Sequence, residues 1–449
     1  MAVDGDAPEA AAQDPYTLVR TRRYVVLLVL AALLGVPVSA AAFGFLALVG
    51  KLEPEIYTDL PKALGFHGTP GWWPLPMLGV AGLLVALTIR YLPGTSGHEP
   101  ADGLSTKGAP SLADLPGIVL AALTTLALGA VLGPEAPLIA LGSGLAAGIV
   151  RLAKRDLPKE AVMVVGAAGS FAAVSALLGS PLLGAFLLME ASGLGGATLS
   201  TLLLPGLVAS GVGALIFIGL GSWTGLGTYS LELHQVPAAA PLEVAQFGWA
   251  LVIGLAAGLI GAGIHRGAVA LKALVQPRRV LVTPLTGLAV AGLAIAYAAG
   301  TSKPASEVLY SGQSALGPLL ANSGSYSAGA LTLLLVCKGL AYGVSMGGFR
   351  GGPVFPSMFL GAAGGLAMSH LPGLPVTAAF AMGVGAMSVA MLKLPMTSVL
   401  LATLLLGTPG LTVMPLVIVA VAVSFVVSLR LTPVPPKPEP ESTAAAEKT

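Results

Sequence analysis

The chain has 449 residues, of which only 9% are charged and 55% hydrophobic, and its mean hydropathy is +0.89. Soluble domains carry about a quarter charged residues, so a water-soluble globular fold is excluded and nearly the whole chain is expected within a bilayer. A formal net charge of +2, without a basic, aromatic-interleaved surface, offers nothing to nucleic acid, and no such partner is expected.

Sixty glycines and thirty-five prolines predict helices that are tilted, short or broken in mid-membrane. Such breaks are tolerated only where backbone faces protein or a water-lined path. In chain order, residues 1–19 are polar and Ala-rich and read as a disordered tail. Arg20, Arg22 and Arg23 then precede an apolar run over 24–50 that is too long for the core of a signal peptide, so no cleaved leader is expected. Further apolar segments lie near 74–92, 112–131, 137–152, 160–178, 181–191, 199–221, 245–273, 280–300, 327–345, 355–370, 375–392, 395–407 and 411–431. A polar, Pro-rich tail fills 433–449. A straight span needs about 20 residues, so 181–191 and 395–407 predict half-spanning helices. Cys337, the single cysteine, cannot form an internal disulfide and reads as a small core residue.

Two phrases recur along the chain. Residues 133–142 read GPEAPLIALG and residues 352–361 read GPVFPSMFLG, with Gly, Pro, a second Pro, Leu and a closing Gly in register. SPLLGAFLLMEA from Ser180 similarly matches LPMTSVLLATLL from Leu394. Two pairs of anchors in order predict an internal duplication, with halves at about 74–221 and 245–431. Repeats of this kind, often inverted in the membrane, place substrate at the midplane between them. Positive residues cluster at Arg20–Arg23, at Arg151, Lys154, Arg155 and Lys159, and at Arg266, Lys272, Arg278 and Arg279. The positive-inside tendency puts these regions and both termini in the cytoplasm, and the loop 222–249 outside. The expected fold is therefore an all-α polytopic membrane protein of two inverted-topology repeats, occupying 20–432.

The chemistry gathers at the doubled phrase. Gly and Pro interrupt regular helix just before each apolar run, exposing backbone N–H groups at two helix starts, and such starts bind anions. Glu135 stands in the first copy and Val354 at the matching place in the second. An intramembrane carboxylate is a functional candidate by default, and one at a helix start competes with an anion for the same amides. The five histidines, at 67, 98, 234, 265 and 370, have no metal-ligand spacing, and no HExxH or phosphate-binding loop occurs. No metal, cofactor or enzymatic activity is expected, an intramembrane enzyme remaining only a distant alternative.

At these residues a family resemblance becomes specific. GPEAPLIALGSGLA resembles the gating-glutamate motif of the CLC chloride channels and transporters, and GGPVFPSMFLG resembles their second signature. GSPLLGAFLLMEA resembles the segment that follows in the first half, and GTSGHEPADG at 94–103 the serine-bearing motif. The resemblance spans about 24–431, and its phrases are closer to the chloride than to the fluoride branch. It implies Glu135 as the gate and Ser96, with Thr95 as a possible substitute, as hydroxyl donor to a central anion. The backbone amides of Val354 and Phe355 complete that site, with Ala136 beside them. It also implies a homodimer with a pore in each subunit, in a bacterial inner membrane. The tail after Arg430 is too short for the regulatory nucleotide-binding pair of some relatives, so none is expected.

Four departures bear on mechanism. The aromatic of the second signature is displaced to Phe355, Pro134 stands where Arg is usual before the gate, and His98 and Glu99 fall between Gly97 and Pro100. His98 becomes a candidate pH sensor at the pore's inner mouth. Fourth, with Glu190 as the structural glutamate, the proton-transfer position is Ala191, and no Tyr follows Tyr342 to form the family's inner gate. Alanine cannot relay a proton. The expectation is chloride transport gated by Glu135, leaning to a channel or weakly proton-coupled transporter. The alternative is a chloride/proton antiporter with a non-standard proton path. A neutral hydroxyl and peptide amides suit conduction, since a buried Arg or Lys would make a deep trap.

Overall fold

The computed structural model describes residues 20–104, 108–153, 159–193, 196–226, 231, 233 and 235–432. The two predicted tails, Lys154, Arg155 and His234 lie outside the described residues, as does the side chain of Lys159. Every apolar segment anticipated from the sequence is a helix. In chain order these are α1 (Arg22–Pro54), α2 (Pro74–Tyr91), α3 (Leu115–Ala127), α4 (Glu135–Ala153), α5 (Lys159–Leu178), α6 (Pro181–Ser192) and α7 (Gly196–Thr224). The second half supplies α8 (Val244–Val275), α9 (Arg279–Thr301), α10 (Ala328–Gly348), α11 (Val354–Met368), α12 (Val376–Leu392), α13 (Pro395–Leu405) and α14 (Thr408–Leu431).

Local chemistry sets these boundaries. Ser180 accepts from the Leu183 N–H at 3.3 Å and Pro181 opens α6, while Gly193 ends it with φ 62°. These are an N-cap, a first-turn proline and a left-handed C-terminal glycine in their preferred places. Ser327 caps α10 in the same way, accepting from Ala330 N–H at 3.1 Å. The two short helices expected near 181–191 and 395–407 have 12 and 11 residues, too few to span a bilayer alone. Among the described residues, eight helical stretches are long and apolar enough to cross a membrane. Large apolar side chains such as Leu33, Leu215, Leu281 and Leu285 are exposed on them, the apolar exterior of an integral membrane protein.

Close backbone approach explains the last residue of each doubled phrase. A Cβ at Gly142 would strike the Gly169 carbonyl of α5, and one at Gly361 the Gly383 carbonyl of α12. α4 thus lies directly on α5, and α11 on α12, through matched glycine pairs, the small-residue contact that lets membrane helices touch. α11 and α12 are buried along most of their length, so the second half of the site sits in the protein core rather than against lipid.

A lysine lies buried in that core. Lys338 of α10 is fully buried, with Nζ 2.8–3.2 Å from the backbone carbonyls of Glu307, Val308, Leu309 and Tyr310. The ammonium also lies 4.4 Å from the centre of the Phe359 ring. It pins the loop 305–310 inside the fold, where Tyr310 N–H donates to Gly129 O at 3.2 Å. A buried ammonium is tolerable because carbonyl oxygens replace its water.

Candidate anion site

The starts of α4 and α11 are fastened face to face. Gly133 N–H donates to Gly352 O at 2.8 Å and Gly352 N–H to Gly133 O at 2.5 Å, an antiparallel bridge between the two copies of the phrase. α10 supports both from behind. Its Tyr342 hydroxyl donates to the Pro353 carbonyl at 3.0 Å, and its Ser345 Oγ accepts from Val131 N–H at 3.1 Å.

Glu135 turns into the space this creates. It is fully buried, and its Oε1 accepts from Phe355 N–H at 2.8 Å. Its Oε2 is buried with no partner. A Cβ at Gly133 or Gly352 would collide with the carboxylate as it is placed here, so glycine at these two positions leaves room for it. Both oxygens of a buried carboxylate need donors, and one unsatisfied atom costs about 1–3 kcal/mol. The carboxylate therefore sits at the start of α11 with one oxygen bonded to the Phe355 amide and the other unpartnered.

Ser96 sits on an unusual loop. Gly94, Thr95, Ser96 and Gly97 have φ of 78°, 50°, 58° and 85° in succession. Left-handed backbone at Thr95 and Ser96 costs on the order of 1–3 kcal/mol per residue, and such strain persists only where surroundings enforce it. Ser96 is 2% exposed and its Oγ has no partner. It caps no helix. The hydroxyl lies beside a cavity of about 10 Å³ that is lined also by His98, Ala136, Pro137, Arg350 and Gly351. That volume admits about one water-sized body.

An ion-pair cluster clamps this loop to the second half. Glu99 lies 2.8 Å from Lys272 of α8, 2.8 Å from Arg279 of α9 and 3.0 Å from Arg350. Lys272 also pairs with Asp102 at 2.6 Å, and Gln276 donates to Glu99 at 3.0 Å. Burial opposes ionisation of Glu99, but hydrogen bonds from Lys272 and Arg279 and the charges of Arg350 and Lys272 outweigh it. They hold its carboxyl at about 2, below the usual carboxylate range.

The structure brings Glu135 to Phe355, and Ser96 to His98 and Ala136 around one cavity. Val354 is buried at the start of α11, but its N–H is not the one that meets Glu135. Glu190 lies apart and has a definite task. Its Oε1 accepts from Met396 N–H at 3.0 Å, and Oε2 from Thr397 N–H at 2.8 Å and Thr397 Oγ1 at 2.7 Å. It is the N-terminal cap of α13, joining the two short helices that match each other in sequence. Ala191 beside it carries no titratable group. Arg350 was not anticipated: it is a buried cationic side chain lining the cavity beside Ser96. The signal was present as a lone arginine inside GGFRGGP, directly before the second phrase.

Comparison with known proteins supports this architecture. A family model described as voltage gated chloride channel matches residues 77–429. Putative ion-transport protein YfeO of Escherichia fergusonii is 28% identical over 365 residues, covering 79% of this chain and 82% of its own. Its counterpart from Salmonella paratyphi A is 28% identical over 364 residues, with 79% and 84% covered. Among solved structures, a slow cyanobacterial Cl⁻/H⁺ antiporter superposes with TM-score 0.70 at 19% identity, covering 90% of this chain and 94% of that one. A CLC-type fluoride/proton antiporter superposes with TM-score 0.69, also at 19% identity, covering 91% and 96%. The fold is thus shared with these structures, and the family model spans more than half of the sequence. The chain belongs to the voltage-gated chloride channel (CLC) family of membrane anion transporters.

Proposed function

We propose that this protein transports chloride along a path between the starts of α4 and α11, gated by the Glu135 side chain. The observation that carries the reading is the 2.8 Å bond from Phe355 N–H to the Glu135 carboxylate. An amide that holds a carboxylate at a helix start is also a donor for chloride, so the side chain and the ion compete for one place. Swinging Glu135 away exposes the amide, and Ser96 with its unpartnered hydroxyl receives the anion in the adjoining cavity. The halves 74–221 and 245–431 contribute one helix start each, and the protein works as a homodimer in a bacterial inner membrane with cytoplasmic termini.

The reading leans to channel-like or weakly proton-coupled transport. Both Glu190 oxygens are engaged in capping α13, and Ala191 offers no proton carrier. A chloride/proton antiport reading draws on Glu135 Oε2, a buried oxygen free to take a proton, and on the antiporter activity named for the superposed structures. Liposomes loaded with chloride, with efflux and external pH recorded together, decide between them. Chloride efflux without matched proton uptake is expected; stoichiometric proton movement would establish the antiporter, and no chloride flux would refute transport.

A further inference from the structure

The doubled phrase accounts for Glu135 and Phe355 but leaves Arg350 without a task. This arginine is 4% exposed. Its Nη2 donates to Glu99 Oε1 at 3.0 Å and to the Thr95 carbonyl at 3.4 Å, and Nη1 to the Phe349 carbonyl at 3.4 Å. Its Nε is buried with no acceptor, as is the Ser96 Oγ. Both residues line the same small cavity. A guanidinium has five N–H donors and no acceptor, so an unpaired buried Nε–H lacks an electronegative ligand. A hydroxyl rotates to donate as readily as to accept. Two orphaned donors beside a space for one small body describe an anion position.

Charge points the same way. Glu99 and Asp102 face Lys272, Arg279 and Arg350, so three cations share two carboxylates and one positive charge is left over. Arg350 is the most buried of the three, its side chain 5% exposed against 19% for Lys272 and 17% for Arg279. The excess is therefore felt most where water screens it least.

We propose that Arg350 is a direct ligand of the permeating anion, its Nε–H and the Ser96 hydroxyl together holding one small monoatomic anion in the inner cavity. This rests on the anion-transport reading. Glu99 is the positioning residue: it aims the guanidinium through Nη2 and offsets part of its charge. The site is correspondingly deeper than hydroxyl and amides alone would make it, and ion residence is longer.

The test is chloride binding by isothermal titration calorimetry on the purified full chain, paired with chloride flux in liposomes. Arg350→Gln should weaken chloride binding at least tenfold, and Arg350→Lys, which keeps charge but loses the planar fork, should fall between. Glu99→Gln keeps an oxygen to accept from Nη2 while removing a negative charge, and should tighten binding several-fold and slow flux. A purely structural role for the pair predicts that both glutamine variants weaken binding. Wild-type affinity in Arg350→Gln, or weakened binding in Glu99→Gln, overturns the ligand role while leaving transport intact. Absence of chloride binding and flux in the wild-type protein overturns it together with the transport reading.

Discussion

Replacing Glu135 with alanine isolates the competition at the start of α11. The carboxylate accepts one charge-assisted bond, from Phe355 N–H at 2.8 Å, and hydrogen bonds to charged groups contribute about 1.5–3 kcal/mol net. On the proposed function, an anion entering the site must first displace that bond. With the side chain gone, the amide is left free in a fully buried pocket, and chloride satisfies it without a competitor. At 1.4 kcal/mol per factor of ten, chloride affinity should rise roughly tenfold to a hundredfold. The unpartnered Oε2 lowers this figure, because a carboxylate already short of donors is easier to displace. Chloride titration by calorimetry measures the affinity, and efflux from liposomes across pH 5 to 8 measures the gate. Efflux in Glu135→Ala should be retained or raised and should lose its pH dependence. Unchanged affinity, or abolished flux in a folded protein, refutes the shared-site reasoning.

Other variants separate support from transport. Glu190→Ala strips three bonds from the start of α13, and should cost about 1–3 kcal/mol, seen as a lower thermal midpoint in detergent with anion selectivity unchanged. Ser96→Ala removes an oxygen that bonds to nothing in the protein; the midpoint should hold while chloride affinity drops by about 0.5–1.5 kcal/mol, or up to roughly tenfold. Gly352→Ala forces its methyl into the Glu135 carboxylate, and should mimic Glu135→Ala in flux or fail to fold, whereas the double variant with Glu135→Ala should recover folding. The Glu99 cluster sets an acid limit. Because its carboxyl is lowered from 4.5 to about 2, its contribution to stability is complete above pH 4.5 and is lost as pH falls from there towards 2. Thermal melts between pH 7 and 5 should show no pH dependence from Glu99, with wild type and Glu99→Gln keeping a constant difference that shrinks only below pH 4.5.

Helix positions and the two half-length helices were legible because each apolar run is bounded by Pro, Gly or Ser, whose backbone effects are local. Glu135 was legible too, since a carboxylate inside an apolar run has few uses. What sequence could not convey was the partnership across the halves. Glu99 reads as one of two residues between Gly97 and Pro100 in a loop, yet three cations from α8, α9 and the 349–353 turn converge on it. Arg350 looks like a helix-end charge until its neighbours arrive from 250 residues away in the chain. The same separation hid the role of Glu190 at α13, although its residue type and its place on a short helix were both apparent.

The bridge between Gly133 and Gly352 also sets a schedule for synthesis. These residues are 219 positions apart. At the usual 5–20 residues per second of translation, about ten to forty-five seconds pass between them. Through that interval the first half is already emerging with a carboxylate destined for the interior, and the Phe355 amide that will receive it has not been made. Glu135 must wait in water, at the bilayer surface or with an insertion factor until α11 arrives. The junction of the two helix starts is thus made late in synthesis, and a ribosome stalled before Phe355 leaves Glu135 without its amide partner.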